Sequence, residues 1–553
     1  MEYLDYITII VFTLIILMVG LSFGKRGGDM KSFFAAGGEV PWGINGLSLF
    51  MSFFSAGTFV VWGSIAYEYG LVAITIQMMM CLSGFLVGYF IAPKWRKTGV
   101  LTVAEYLTKR FGEKVQKYYT YLFLFISLGY TGAFLYPVAK IVNVSTGLDI
   151  YHSILILGGI IMVYTAVGGL WAVVVTDVLQ FVILTSAVLI VIPLSLDEIN
   201  GIDTLISKAP DGFFQVFNGE YTPLFIFAFC FYNLVFIGGN WAYVQRYTTT
   251  KNSKSASKVG YLFGGLYLIS PLIWMLPPMV YKILDPSLSG LESEGAYLLM
   301  CKEVLPVGML GLMLGGMIFA TASSVNTSLN LAAAVLTNDV YKPLRPHLSE
   351  KKLMGFARLS TLLFGAGTIM IAFLVPMAGG IVEVVLSIGA VTAGALYGPA
   401  IWSLFSKRLT GASILQITLV SLIINLFFKF VTPWAMDFSL DRSEEMLLGI
   451  LLPVILLAGY EVYALIVGQA SSVIPELSSG NKEESDPSSE QNMYGLKVIS
   501  IALYSIGLVL LVLTVWAAHA AIYLAIMGTF IITLGVGLSR VKKIQKSSVK
   551  KTI

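Results

Sequence analysis

The chain has 553 residues, of which 57% are hydrophobic and only 12% charged, and its formal net charge is +4. An ordinary soluble domain carries about 25% charged residues, so the composition excludes a water-soluble enzyme and leaves no room for a large polar domain. The cysteines Cys81, Cys230 and Cys301 form no disulfide framework, and the histidines are too scattered for a zinc centre.

About fifteen apolar segments follow one another along the chain, most of them near the ~20 residues a helix needs to cross a bilayer. The first, 3–24, lacks a cleavage-site pattern and reads as a retained helix. The second, 42–67, contains "NGLSLFMSFFSAGTFVVWGS", which mixes Gly, Ser and Thr into an apolar span. An interrupted helix there would bare carbonyls for a cation and amides for an anion, while a continuous glycine-bearing helix fits equally well. Segments 71–93 and 118–147 come next, the latter with Lys140 in "FLYPVAKIVNVSTGL". That lysine either anchors an anionic solute or neutralises a carboxylate. Segments 151–168 and 172–196 are separated by "VGGL", and the second holds Asp177. A carboxylate inside a spanning segment is costly and marks an ion or solute path, unless it reaches water near the helix end.

The second half runs through 222–246, 259–283, 304–338, 354–376 and 379–405. Within 304–338 the stretch "FATASSVNTSLN" sets Ala320, Ser323, Ser324 and Thr327 at i, i+3, i+4 and i+7, one helix face. Hydroxyls beside bare backbone suit a hard cation, and small residues equally suit close helix packing. Glu383 opens 379–405 and reads as an interfacial carboxylate. Segments 411–431 and 446–468 precede a polar linker at 471–492, and 496–517 and 519–538 end the apolar series.

Numbering the loops alternately from an outside N-terminus places 29 of the 35 Lys and Arg inside. That asymmetry predicts a multi-pass protein of the cell membrane with its N-terminus outside and its C-terminus inside. No phosphate-binding loop, zinc signature or nucleophile elbow is present, and nothing points to nucleic acid.

The motifs "GGEVPWGINGLSLFMSFFSAGTF", "VLTVAEYLTKRFG", "TAVGGLWAVVVTDVLQ", "GGNWAYVQRY", "ATASSVNTSLNLAAAVLTNDVYK" and "AGALYGPAIWSLFSKRLTGA" occur in order over residues 1–468. In them the chain resembles the sodium:solute symporter family, which includes bacterial proline, pantothenate, sialic acid and sugar carriers and the mammalian sodium–glucose carriers. The resemblance implies an all-α core of five plus five helices in inverted repeats (the LeuT-like fold), with 42–221 as the first repeat and 222–410 as the second. Residues 1–41 are then a leading helix and loop, and 411–553 are peripheral. It implies a sodium site of the Met51, Phe54 and Ala320 carbonyls with the Ser323 and Ser324 hydroxyls. Some family members hold a second sodium on an Asp and further hydroxyls, which Asp177 and Thr327 match. Asn326 stands where those members carry Ser.

For the solute, Phe53, Gly57 and Thr58 replace the polar residues of sugar-carrying members. Ser55 and Thr58 match hydroxyls that hold a carboxylate in sialic acid carriers, whose Arg is here Tyr130. Lys140 matches a basic residue of proline and pantothenate carriers, and Asn240 and Tyr243 match positions lining a later helix. The expectation is a sodium-coupled importer of a small carboxylate-bearing solute. The alternatives are a sugar or polyol symporter and a proton-coupled carrier. A transporter-like sensor lacks an output domain, and a membrane enzyme lacks a visible catalytic pair.

Overall fold

The computed structural model describes residues 1–24, 40–167, 170–345, 347–469, 490–517 and 520–552. The expected linker therefore lies almost entirely outside the described residues. Lipid offers no partner to backbone amides and carbonyls, so long apolar runs close their hydrogen bonds internally as helices. In chain order the rods are α1 (Tyr3–Gly24), α2a (Trp42–Met51) with α2b (Gly63–Tyr69), α3 (Val72–Leu86), α4 (Glu113–Thr146), α5 (Ile150–Val167) and α6 (Leu170–Glu198). Then come α7a (Pro223–Gly239) with α7b (Trp241–Thr248), α8 (Ser253–Trp274), α9 (Met309–Val335), α10 (Glu350–Leu374) and α11 (Ile381–Ser403). The rods α12 (Gly411–Leu426), α13 (Arg442–Ile466), α14 (Glu490–Leu513) and α15 (Ala521–Thr552) complete the series.

Among the described residues ten helices are long and apolar enough to cross a membrane, eleven if the bent pair α7a–α7b is one span. The sequence shows about fifteen apolar segments, and the difference has local causes. Helix α2 is cut into pieces of 10 and 7 residues. In α1, α5 and α14 the fully described apolar stretches are Tyr3–Ile16, Ile150–Met162 and Lys497–Leu513, although the helices themselves run to 22, 18 and 24 residues.

Helix α9 is the centre of the molecule. Its apolar window is 94% buried, against 22% for α15 and 28% for α13, and α1, α4, α6 and α10 pack around it. Burial on all sides frees α9 from facing lipid, which is why it can carry hydroxyls in its middle. Its N-terminus is held from α1, where Asp5 Oδ1 accepts from the amides of Gly308 at 2.7 Å and Gly311 at 3.1 Å. A carboxylate satisfies orphan amides there and complements the helix dipole.

Helix α8 meets α3 and the π-helical turn that continues it, Val87–Ile91, backbone to backbone. A Cβ on Gly260 would stand 2.5 Å from the Cα of Gly88, and one on Gly84 would stand 2.9 Å from the amide nitrogen of Gly264. Small residues four apart on both helices allow this approach. The breaks in α2 and α7 fall in the first helix of each expected repeat, and both face α9.

Candidate ion and solute site

The site starts where α2 stops being a helix. Phe54 N still reaches Phe50 O at 2.9 Å, but Ser55 N turns to Phe53 O at 3.1 Å instead of to Met51. The Met51 carbonyl thereby loses its helical donor. The Thr58 hydroxyl holds the turn, accepting from Ser55 N at 3.2 Å and donating to the Phe53 carbonyl. Aromatic packing fixes the unwound residues, with Phe54 stacked on Trp274 at 4.2 Å. The chain then resumes as a wide π-helical turn, Thr58–Trp62. The interrupted reading of this segment is therefore the one observed.

Helix α9 lies across the break. Ala56 N donates to the Thr321 hydroxyl at 2.8 Å, and the Ser324 hydroxyl donates to the Ser52 carbonyl at 3.3 Å. Met51, Phe54 and Ala320 are buried beside this contact's elements. The Ser323 side chain lies outside the described residues. Carbonyl and hydroxyl oxygens without a carboxylate cluster suit a hard cation of low charge. Among the described residues no group of three His, Cys, Asp or Glu could hold a metal ion.

Asp177, near the start of α6, is buried and accepts from the Ser48 hydroxyl at 2.6 Å. Arg246 on α7b is buried too, and the Asp177 charge acts on it. Its Nε and Nη1 have no hydrogen-bond partner among the described residues. Asn326 Oδ1 accepts from Asn330 Nδ2 at 2.7 Å, while Asn326 Nδ2 has no partner among the described residues. The described bonds of Asp177 and Asn326 thus run to different neighbours, and Thr327 borders a cavity.

Two cavities meet at the break. The larger is bordered by Ser52, Ser55 and Thr58, by Tyr130 on α4 and by Asn233 on α7a. The smaller is bordered by Asn240, Tyr243, Ser324 and Thr327. Ser52, Tyr130, Phe134 and Phe236 border both. Asn240 occupies the 59° bend between α7a and α7b, where its side chain accepts from Ala242 N at 3.0 Å and donates to Tyr397 Oη at 3.2 Å. Tyr243 packs on Phe53 at 4.9 Å. The expected solute residues are thus divided: Ser55 and Thr58 on one cavity, Asn240 and Tyr243 on the other, Tyr130 between them.

Lys140 is not among the described residues bordering either cavity. Its charge acts on Glu294, in the turn Gly290–Gly295 outside the spanning segments. Glu294 accepts from Ile381 N at 2.9 Å and from the Tyr136 hydroxyl at 3.1 Å. Burial raises its pKa above the ordinary glutamate range, and the Ile381 amide, Lys140 and Tyr136 draw it part of the way back. Glu383 is paired with Lys429 at 3.1 Å and Arg442 at 3.0 Å, as befits an interfacial carboxylate. Glu294 and Arg246 are the two residues the sequence reading misses. Both lie in stretches assigned to loops by charge counting, though the apolar flanks of Arg246 in "WAYVQRYT" were a signal of burial.

Residues 33–419 match the model of the sodium:solute symporter family. The human sodium/iodide cotransporter is 30% identical over 422 residues, covering 71% of this chain and 65% of that protein. The sodium/glucose cotransporter of Vibrio parahaemolyticus is 26% identical over 556 residues, 92% of this chain and 98% of that one. Mouse solute carrier family 5 member 4B is 28% identical over 401 residues, and the chain spans 61% of its length. Among solved structures, a sodium-coupled sialic acid symporter in a substrate-bound outward-open state superposes with a TM-score of 0.72 at 22% identity, covering 85% of this chain and 99% of that one. A nucleobase-cation-symport-1 family transporter superposes with a TM-score of 0.55 at 16% identity, covering 80% and 96%. These likenesses establish the LeuT-like fold.

Proposed function

The chain belongs to the sodium:solute symporter family, and we propose that it imports a small carboxylate-bearing solute together with sodium by alternating access. The observation that carries this reading is the contact of the Ser324 hydroxyl with the Ser52 carbonyl at the α2 break. Sodium binds there to the carbonyls of Met51, Phe54 and Ala320 and the hydroxyls of Ser323 and Ser324. It joins the repeats 42–221 and 222–410 and favours the state that accepts solute. Coupling requires only that sodium prefer that state, and the preference is reciprocal. The solute binds at Ser55, Thr58 and Tyr130, with Asn240 and Tyr243 on its path. Lys140 balances Glu294 and does not touch the solute. The N-terminus is outside and the C-terminus inside, in keeping with the charge asymmetry of the loops.

Asp177, Asn326 and Thr327 are the candidates for a second sodium. Arg246 weakens that case, because its cation competes for the Asp177 carboxylate. A sugar or polyol symporter is the second reading, favoured by the long match to the Vibrio parahaemolyticus cotransporter. The experiment is uptake into proteoliposomes at fixed pH with sodium replaced by choline. Loss of uptake supports sodium coupling, whereas uptake that follows only a pH gradient makes the carrier proton-coupled.

A further inference from the structure

The larger cavity constrains the solute more narrowly than the family does. No Asp, Glu, Lys, Arg or His is among the described residues bordering it. Its walls are largely aromatic, with Phe53, Trp62, Phe134, Phe229, Phe236 and Tyr267 among them. Trp62 and Phe229 meet edge to face at 5.5 Å, as do Phe53 and Phe236 at 6.2 Å.

Several of the polar groups on the wall already bond within the protein. Thr58 bonds to Phe53 O and Ser55 N. Ser52 Oγ donates to Ser48 O at 3.0 Å, and Asn233 Nδ2 donates to Phe229 O at 2.9 Å. The Ser55 hydroxyl has no partner among the described residues, and it sits in the break itself. A polyhydroxylated solute needs many partners at once and would set several of its hydroxyls against this aromatic wall, which a buried site disfavours. A solute with one polar head and an apolar body pairs its head and fills the rest.

We propose, on the premise of the sodium-coupled import described above, that the solute is a monocarboxylate with an apolar, preferably aromatic body. Its carboxylate accepts from Ser55, and its body lies among Trp62, Phe229 and Phe236. A carboxylate in such surroundings needs a countercharge. Sodium supplies it, because the carbonyls of Met51 and Phe54 adjoin Ser52 and Ser55 in the chain. Each partner then reduces the desolvation cost of the other, and the charge balance itself couples them.

The test uses the full-length protein in liposomes with an inward sodium gradient and labelled phenylacetate, with acetate, glucose and proline as competitors. Sodium-dependent phenylacetate uptake is expected, unaffected by excess glucose or proline. Phe229→Ala should weaken apparent affinity for phenylacetate about tenfold relative to acetate. Val385→Phe, which fills the cavity, should exclude phenylacetate and still admit acetate. Ser55→Ala should weaken both acids. Competition by glucose or proline equal to that of phenylacetate overturns the inference, as does an unchanged preference in both cavity variants. A sodium-dependent thermal shift without solute separates the two levels. A shift without monocarboxylate uptake overturns only the solute class, whereas no shift removes the symport premise.

Discussion

Ser324 offers its hydroxyl to a carbonyl that a regular helix would have satisfied internally. Replacing it with alanine removes one ligand of the proposed sodium site and little volume. The half-saturating sodium concentration for uptake should therefore rise at least about tenfold, equivalent to ~1.4 kcal/mol, with the fold retained. Asp177 and Arg246 behave differently, because each is buried and the charge of one bears on the other. Asp177→Asn leaves a buried cation less compensated, at a cost of about 3 kcal/mol in stability. Adding Arg246→Met should recover part of that loss in a thermal melt. If the single variant melts like the parent, the two charges are not coupled.

Glu294 makes a pH-dependent contribution. Its folded pKa lies above the ordinary value of 4.5, so between those two values the folded protein holds more protons than the unfolded chain. This group's contribution to stability accordingly declines as pH rises from about 4.5 through the raised value, and levels off above it. Glu294→Gln should abolish this component of the slope of melting temperature against pH. Retention of the full slope in the variant would assign it to another group.

At the scale of elements, the breaks and close approaches decide the architecture. Gly260 lets α8 lie against Gly88, and a methyl group there would meet backbone at 2.5 Å. Gly260→Ala should cost about 1–3 kcal/mol through overpacking, measured as lower thermal stability, whereas Gly265→Ala on the same helix meets nothing within 4 Å and should be near neutral. The mixture of Gly, Ser and Thr in the apolar span of α2 left an interrupted and a continuous helix equally open. The choice and its location lie in space, because Phe54 stacking on Trp274 and Thr58 bonding to Phe53 decide where the helix stops. The hydroxyl face of α9 was legible from spacing alone. Its choice between packing and ion binding was not, since both need small residues on one face. Arg246 and Glu294 stayed hidden because charge counting sorts residues by their neighbours in sequence, while desolvation depends on neighbours in space.

For the whole molecule, the apolar composition dictates a bundle of membrane helices, and the order of motifs places it in a transporter family. The rods α12 to α15 lie beyond the ten helices of the expected repeats. The central α9 is sheathed by α1, α4, α6 and α10, so sodium bound at Ser324, as proposed, would act on a helix in contact with most of the bundle. The most direct test of the account is the thermal midpoint of the purified protein in sodium and in potassium at equal ionic strength, for the parent and for Ser324→Ala. Ligand linkage predicts a parent midpoint that climbs with sodium concentration and not with potassium, and a climb that is lost or displaced to about tenfold higher sodium in the variant. An identical sodium response in both proteins, or none in the parent, would contradict the site at the α2 break.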